Sequence, residues 1–109
     1  TIAALVSPEA AMVIVLASVM LKPGRLDEAL ALSQQHVARS RAEPGCLSHA
    51  VHRDSEDAQR IVFVERWADR AALAAHFQVP ASRTFVKALS GLASAPPQMT
   101  LYEAAEITL

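Results

Sequence analysis

The strongest constraint on the fold is a buried strand that runs almost directly into a helix. Residues 61–67 read Ile-Val-Phe-Val-Glu-Arg-Trp. In an extended chain Ile61, Phe63, Glu65 and Trp67 share one face, and Val62, Val64 and Arg66 share the other. Asp69 follows as a good helix N-cap. Leu73, His76 and Phe77 then fall at i, i+3 and i+4, the spacing of one helical face. A glutamate, the chain's single tryptophan and a histidine are thereby drawn into one neighbourhood.

The flanking segments supply the partners of this unit. Residues 12–21 are rich in Val, Ile, Leu and Met and are closed by Pro23-Gly24. So short a run between turn residues predicts a strand buried on both faces, with Ser18 as its one polar side chain. Residues 25–43 predict a first helix whose stripe is Leu26, Ala29, Leu30, Ser33 and Val37. Asp27 and Glu28 at its start and Arg39 and Arg41 at its end suit the helix dipole. His36 lies beside the stripe and is expected to be solvated. Pro44-Gly45 stops the helix. Residues 46–54 predict a second strand with Leu47, His49, Val51 and Arg53 on one face, joined through a polar turn to a third strand at 60–67. Pro80 sits where a new helix can begin, with Phe85, Val86, Leu89 and Leu92 inward and Gly91 at its end. Beyond Pro96-Pro97, residues 98–109 predict a fourth strand with an extension able to reach a neighbouring subunit.

The resulting order, β-α-β-β-α-β, predicts an α+β, ferredoxin-like fold: an antiparallel four-stranded sheet with helices on one face. A chain of 109 residues has room for one core, here residues 12–109, preceded by an N-terminal extension at 1–11 with Met12 as a natural start. The apolar fraction of 52% and the mean hydropathy of +0.24 are high for a small monomer. Strands one and three are apolar on both faces, so a second copy of the sheet is expected to cover the side without helices. The expectation is a homodimer, a dimeric α+β barrel.

Several functions are disfavoured. Net charge is −1 with both signs interspersed, so no basic stripe offers itself to nucleic acid. Cys46 stands alone, which excludes an internal disulfide framework and fits a reduced, cytoplasmic protein. The apolar run ending at Leu21 is too short to span a bilayer and has no basic segment ahead of it, so no membrane association is expected. His49 and His52 are three apart on a strand and point to opposite faces, and no HExxH pattern occurs, so no metal is expected. Three glycines form no phosphate-cradling loop, and no serine lies in a nucleophile elbow.

What remains is a partly polar pocket between sheet and helices. Trp67 and Phe63 supply flat walls, His76 an imidazole and Glu65 a carboxylate, with Phe77 and Phe85 as further apolar contacts and His49 and Ser18 as polar ones. A glutamate in an apolar strand needs a partner. Either Arg53 or Arg66 supplies it, or Glu65 orients a histidine. His76 is the candidate proton acceptor.

The segments Glu43-Pro44-Gly45-Cys46-Leu47, Phe63-Val64-Glu65-Arg66-Trp67, Ala72-Leu73 and Ala75-His76-Phe77, with Lys22-Pro23-Gly24 after the first strand, resemble the antibiotic biosynthesis monooxygenase superfamily. The likeness spans residues 12–102 and is nearest to small bacterial quinol monooxygenase-like members. It implies a homodimeric α+β barrel that oxidises a quinol-like or polycyclic phenolic substrate with O2 and needs no cofactor. Trp67 would stack on the ring, His76 would take or relay the proton, and Glu65 would support it. Relatives commonly carry tyrosine where His49 stands and histidine where Ala81 stands. The chain has no asparagine and no histidine after His76, which sets it apart from haem-degrading relatives. Two other readings stay open: an isomerase of a small carbonyl compound using His76 and His49 as an acid–base pair, and a ligand-binding dimer without chemistry.

Overall fold

The structure is a computed structural model that describes residues 11–109. The extension expected at 1–11 therefore lies, except for Ala11, outside the described residues. The elements run β1 (Met12–Met20), α1 (Leu26–Arg41), β2 (Cys46–Arg53), β3 (Arg60–Trp67), α2 (Arg70–Gln78), α3 (Pro80–Leu92) and β4 (Gln98–Ala104). The four strands form one sheet in the order β2-β3-β1-β4, every neighbouring pair antiparallel. This is the ferredoxin-like α+β arrangement that the sequence pattern predicts.

The two faces of the sheet differ sharply. Val13, Val15, Ala17 and Val19 of β1 and Ile61, Phe63, Glu65 and Trp67 of β3 are buried under the helices. Filling each such apolar site contributes about 1.5–3 kcal/mol. On the opposite face Leu16 is 43% and Val64 36% exposed. Within one chain, then, β1 is buried on one face and not on both. Ser18 belongs to the open face, opposite Val62 and Gln98 and away from the helices.

Local chemistry sets the boundaries. Asp69 caps α2 by accepting from the Ala72 N–H at 2.8 Å, and Pro80 opens α3. That helix runs through Gly91 to Leu92, one residue beyond the expected stop. Helix α1 ends at Arg41, two residues short of the expected Glu43, which frees Glu43 to turn inward. Gly45 is the tight point of the next turn. Its φ is +80°, and a Cβ there would sit 2.5 Å from the Cβ of Ala72 on α2. Only glycine allows the turn to press so closely on that helix.

Strand β2 carries a register shift between Cys46 and Ser48. The bulge turns Leu47 out to solvent, so Leu47 does not share a face with His49 as regular alternation predicts. Cys46, His49 and Val51 instead stand opposite Trp67, Glu65 and Phe63.

Candidate active site

Between the helices and the sheet lies a cavity of about 430 Å³, within the range of small-molecule sites. Phe63 and Glu65 of β3, His36 of α1, His76 and Phe77 of α2, and Phe85 of α3 line it. Its walls are mainly apolar, with a few polar groups converging at one end.

His76 is the best-held of these. Its Nδ1 lies 2.9 Å from Oε1 and 3.2 Å from Oε2 of Glu43. A carboxylate accepts only, so the ring donates Nδ1–H and keeps its lone pair on Nε2. The turn made possible by Gly45 delivers that carboxylate. Sequence reasoning missed Glu43, because it reads as the last residue of a solvated helix.

Of the two partners expected for Glu65, an arginine or a histidine, the structure supplies the histidine, though it is His49 and not His76. Trp67 donates Nε1–H to its Oε1 at 2.9 Å, and His49 Nε2 stands 3.2 Å from the same oxygen. Neither arginine reaches it: Arg66 donates to Ser48 Oγ instead. Burial pushes the Glu65 pKa up, but contact with His49 and the tryptophan N–H outweighs it, leaving the pKa below its ordinary value. Glu65 is thus a buried carboxylate beside His49 and Trp67, while the carboxylate that orients His76 is Glu43.

Trp67 itself is fully buried. It packs against His76 from behind, ring centroids 4.6 Å apart, and does not line the cavity. The aromatic side chains that line the cavity are Phe63, Phe77 and Phe85, with the imidazoles of His36 and His76. His49, 1% exposed, likewise sits behind the wall. Ser18 is on the wrong face of the sheet, because Ala17 and Val19 are the β1 residues that line the cavity.

His36 also stands elsewhere than the sequence reading put it. It is buried, not solvated, and stacks flat on Phe85 at 4.0 Å with an interplanar angle of 5°. Burial first, then the neighbouring His49 and His76, lowers its pKa to about 3, so the ring is neutral. The signal was present: Ala29, Ser33, His36, Val37 and Ser40 make a continuous helical row, and all five are buried. The expected stripe already held Ala29, Ser33 and Val37; the small Ser40, read as polar, hid its continuation past His36. With His36 inside, three imidazoles meet, and one ring nitrogen each of His36, His49 and His76 lies within 4.8 Å of the others.

Chemically, the site offers an oriented imidazole base at the end of an aromatic-walled cavity. Residues 12–88 match the antibiotic biosynthesis monooxygenase family. The chain is 36% identical over 94 residues to the uncharacterised protein sll1783 of Synechocystis, a match covering 86% of this chain and 64% of that protein, less than two thirds of its length. It is 30% identical over 95 residues to YcnE of Bacillus subtilis, a protein with a monooxygenase name, covering 87% of this chain and all of that one. A solved structure described as an antibiotic biosynthesis monooxygenase superposes with a TM-score of 0.80 at 30% identity, covering 86% of this chain and 99% of the other. A structure from Deinococcus radiodurans gives 0.83 at 24% identity, covering 89% and 96%, a likeness of fold alone. With β1 through most of α3 inside the family match and a relative matched along its whole length, the chain belongs to the antibiotic biosynthesis monooxygenase family.

Proposed function

We propose that the protein is a homodimeric, cofactor-independent monooxygenase that oxidises a quinol-like or polycyclic phenolic substrate with O2. The observation that carries this reading is the Glu43–His76 pair, whose free Nε2 faces a cavity walled by Phe63, Phe77 and Phe85. Such substrates supply their own electrons. For an anthrone-type ring, His76 removes a proton from the ring CH2 or its phenolic tautomer. The resulting carbanion reduces O2 and forms a C–O bond, giving a hydroperoxide once protonated. Loss of the remaining C–H proton with cleavage of the O–O bond then releases water and leaves a carbonyl. One oxygen atom enters the product, the other leaves as water, and His76 ends as it began. The apolar walls keep bulk water from the carbanion.

The test is oxygen uptake by chelator-treated protein with a panel of hydroquinones and anthrones, beside His76→Ala. Uptake above autoxidation that falls by about 10²–10⁴-fold in the variant is expected for loss of a general base. No protein-dependent uptake across the panel removes this reading for those substrates.

A further inference from the structure

Buried imidazoles rarely gather without a reason. His36, His49 and His76 come from α1, β2 and α2, and are 5%, 1% and 4% exposed. Each neutral imidazole carries one donor and one acceptor. Yet among the described residues both ring nitrogens of His49, and Nδ1 of His36, are buried with no aligned hydrogen-bond partner. His49 Nε2 does have the Glu65 carboxylate beside it at 3.2 Å, whereas Nδ1 of both rings has no polar partner. Burying such groups unpaired is unfavourable, because their hydration is lost without replacement. A structural role alone would favour phenylalanine or leucine at these positions.

The geometry points to a binding site for one borderline divalent cation of the Zn2+ class, ligated by His36, His49 and His76. One nitrogen from each ring already lies within 4.8 Å of the other two. Tetrahedral ligation at 2.0–2.1 Å needs nitrogens roughly 3.3 Å apart, so ring shifts of about an ångström close the set. An all-imidazole donor set suits Zn2+, Co2+ or Cu2+ over Mg2+ or Ca2+. The surroundings fit as well. Glu43 accepts from His76 Nδ1 at 2.9 Å, the carboxylate–histidine arrangement that orients a metal ligand. Glu65 brings a second carboxylate beside His49, so two carboxylates stand near the three imidazoles. The cavity reaches His36 and His76, giving an entry path and an open fourth position for water.

Occupancy has one consequence that rests on the proposed oxidation. The lone pair that His76 would use on a substrate proton would be held by the ion, so the loaded protein is the inhibited form. The site itself does not depend on that reading.

The deciding experiment is metal binding to the chelator-treated chain, read without turnover. Co2+ is followed by its visible d–d bands, and Zn2+ by calorimetry against a competing chelator. One ion per chain is expected, with the intense bands of low-coordinate Co2+. His36→Phe keeps a ring stacked on Phe85 and is expected to abolish stoichiometric binding. Glu43→Gln, which leaves all three ligands in place, is expected to weaken it about 10–100-fold. His52→Ala, exposed on another face of β2, is expected to bind as the wild type does. Absence of one-per-chain binding in the wild type overturns the site, as does binding that neither His36→Phe nor Glu43→Gln alters. A chain that binds Zn2+ through these residues but oxidises nothing keeps the site and loses the oxygenase reading. A chain that oxidises quinols and takes up no ion does the reverse.

Discussion

Glu43 governs which nitrogen of His76 is available, although it is the partner most exposed to solvent, with 17% of its side chain accessible. Glu43→Gln retains the size of the side chain but presents an amide that can donate as well as accept. The Nδ1 proton is then no longer enforced. In the oxygen-uptake assay the variant is expected to lose activity chiefly in kcat, by less than the His76→Ala loss of about 10²–10⁴-fold, with KM nearly unchanged. An effect confined to KM would place Glu43 in binding and not in orienting the base. Glu65 is the stability residue of the pair. Replacing it by leucine leaves the Trp67 Nε1–H, now held at 2.9 Å, without an acceptor in a fully buried setting. The expected cost is about 1–3 kcal/mol in denaturant unfolding, read through the fluorescence of the single tryptophan. A variant as stable as the wild type would mean that the indole finds another acceptor.

At the scale of elements, the turn between α1 and β2 controls the site from outside it. Gly45→Ala meets two penalties at once: a positive φ that costs an L-residue about 1–2 kcal/mol, and a Cβ placed 2.5 Å from that of Ala72, where overpacking typically costs about 1–3 kcal/mol. A total loss near 2–5 kcal/mol is expected by chemical denaturation, against about 1 kcal/mol for the cap variant Asp69→Ala. Reversal of that order would show that the turn yields easily. The contrast also marks what a sequence makes legible. The cap at Asp69, the break at Pro80, the hairpin of β2 and β3 and the inward face of β3 all follow from local rules, and the structure has them; α3 buries Phe85, Leu89 and Leu92 as expected but leaves Val86 exposed. The bulge at Cys46/Ser48 breaks the alternation that such rules assume. The meeting of His36, His49 and His76 is illegible for a related reason: each residue comes from a different element, so no spacing along the chain encodes it. Even so, the buried row on α1 could have been read further, had Ser40 been counted as small instead of polar and His36 been placed with Ser33 and Val37.

For the whole molecule, the open face of the sheet is the outstanding question of assembly. Leu16, Val64 and Tyr102, all exposed, lie there with the half-buried Ile14 and Val62; the register sets Leu16 opposite Val64 and Ile14 opposite Tyr102, with Ser18, Arg66, Gln98 and Thr100 as the polar residues among them. The helices cannot reach this side, since they already cover Val13, Val15, Ala17 and Val19 on the other. Apolar surface left in water is unfavourable by about 25 cal/mol for each Å² exposed, and a second copy of the same face removes it from both chains with two-fold symmetry. Light scattering at micromolar concentration is therefore expected to give twice the 11.7 kDa chain mass. Leu16→Glu places one carboxylate from each chain in that interface without a partner, and symmetry brings both in together. The substitution is expected to raise the dimer dissociation constant at least about 100-fold while leaving the cavity residues, on the opposite face of β1, untouched. A wild type that scatters as a single chain, or a Leu16→Glu variant that dimerises as well as its parent, would remove the sheet face as the contact. If the variant is monomeric and still takes up oxygen with substrate, each chain carries a complete site of its own, as the enclosure of His76, Glu43 and the aromatic walls by elements of one chain leads us to expect.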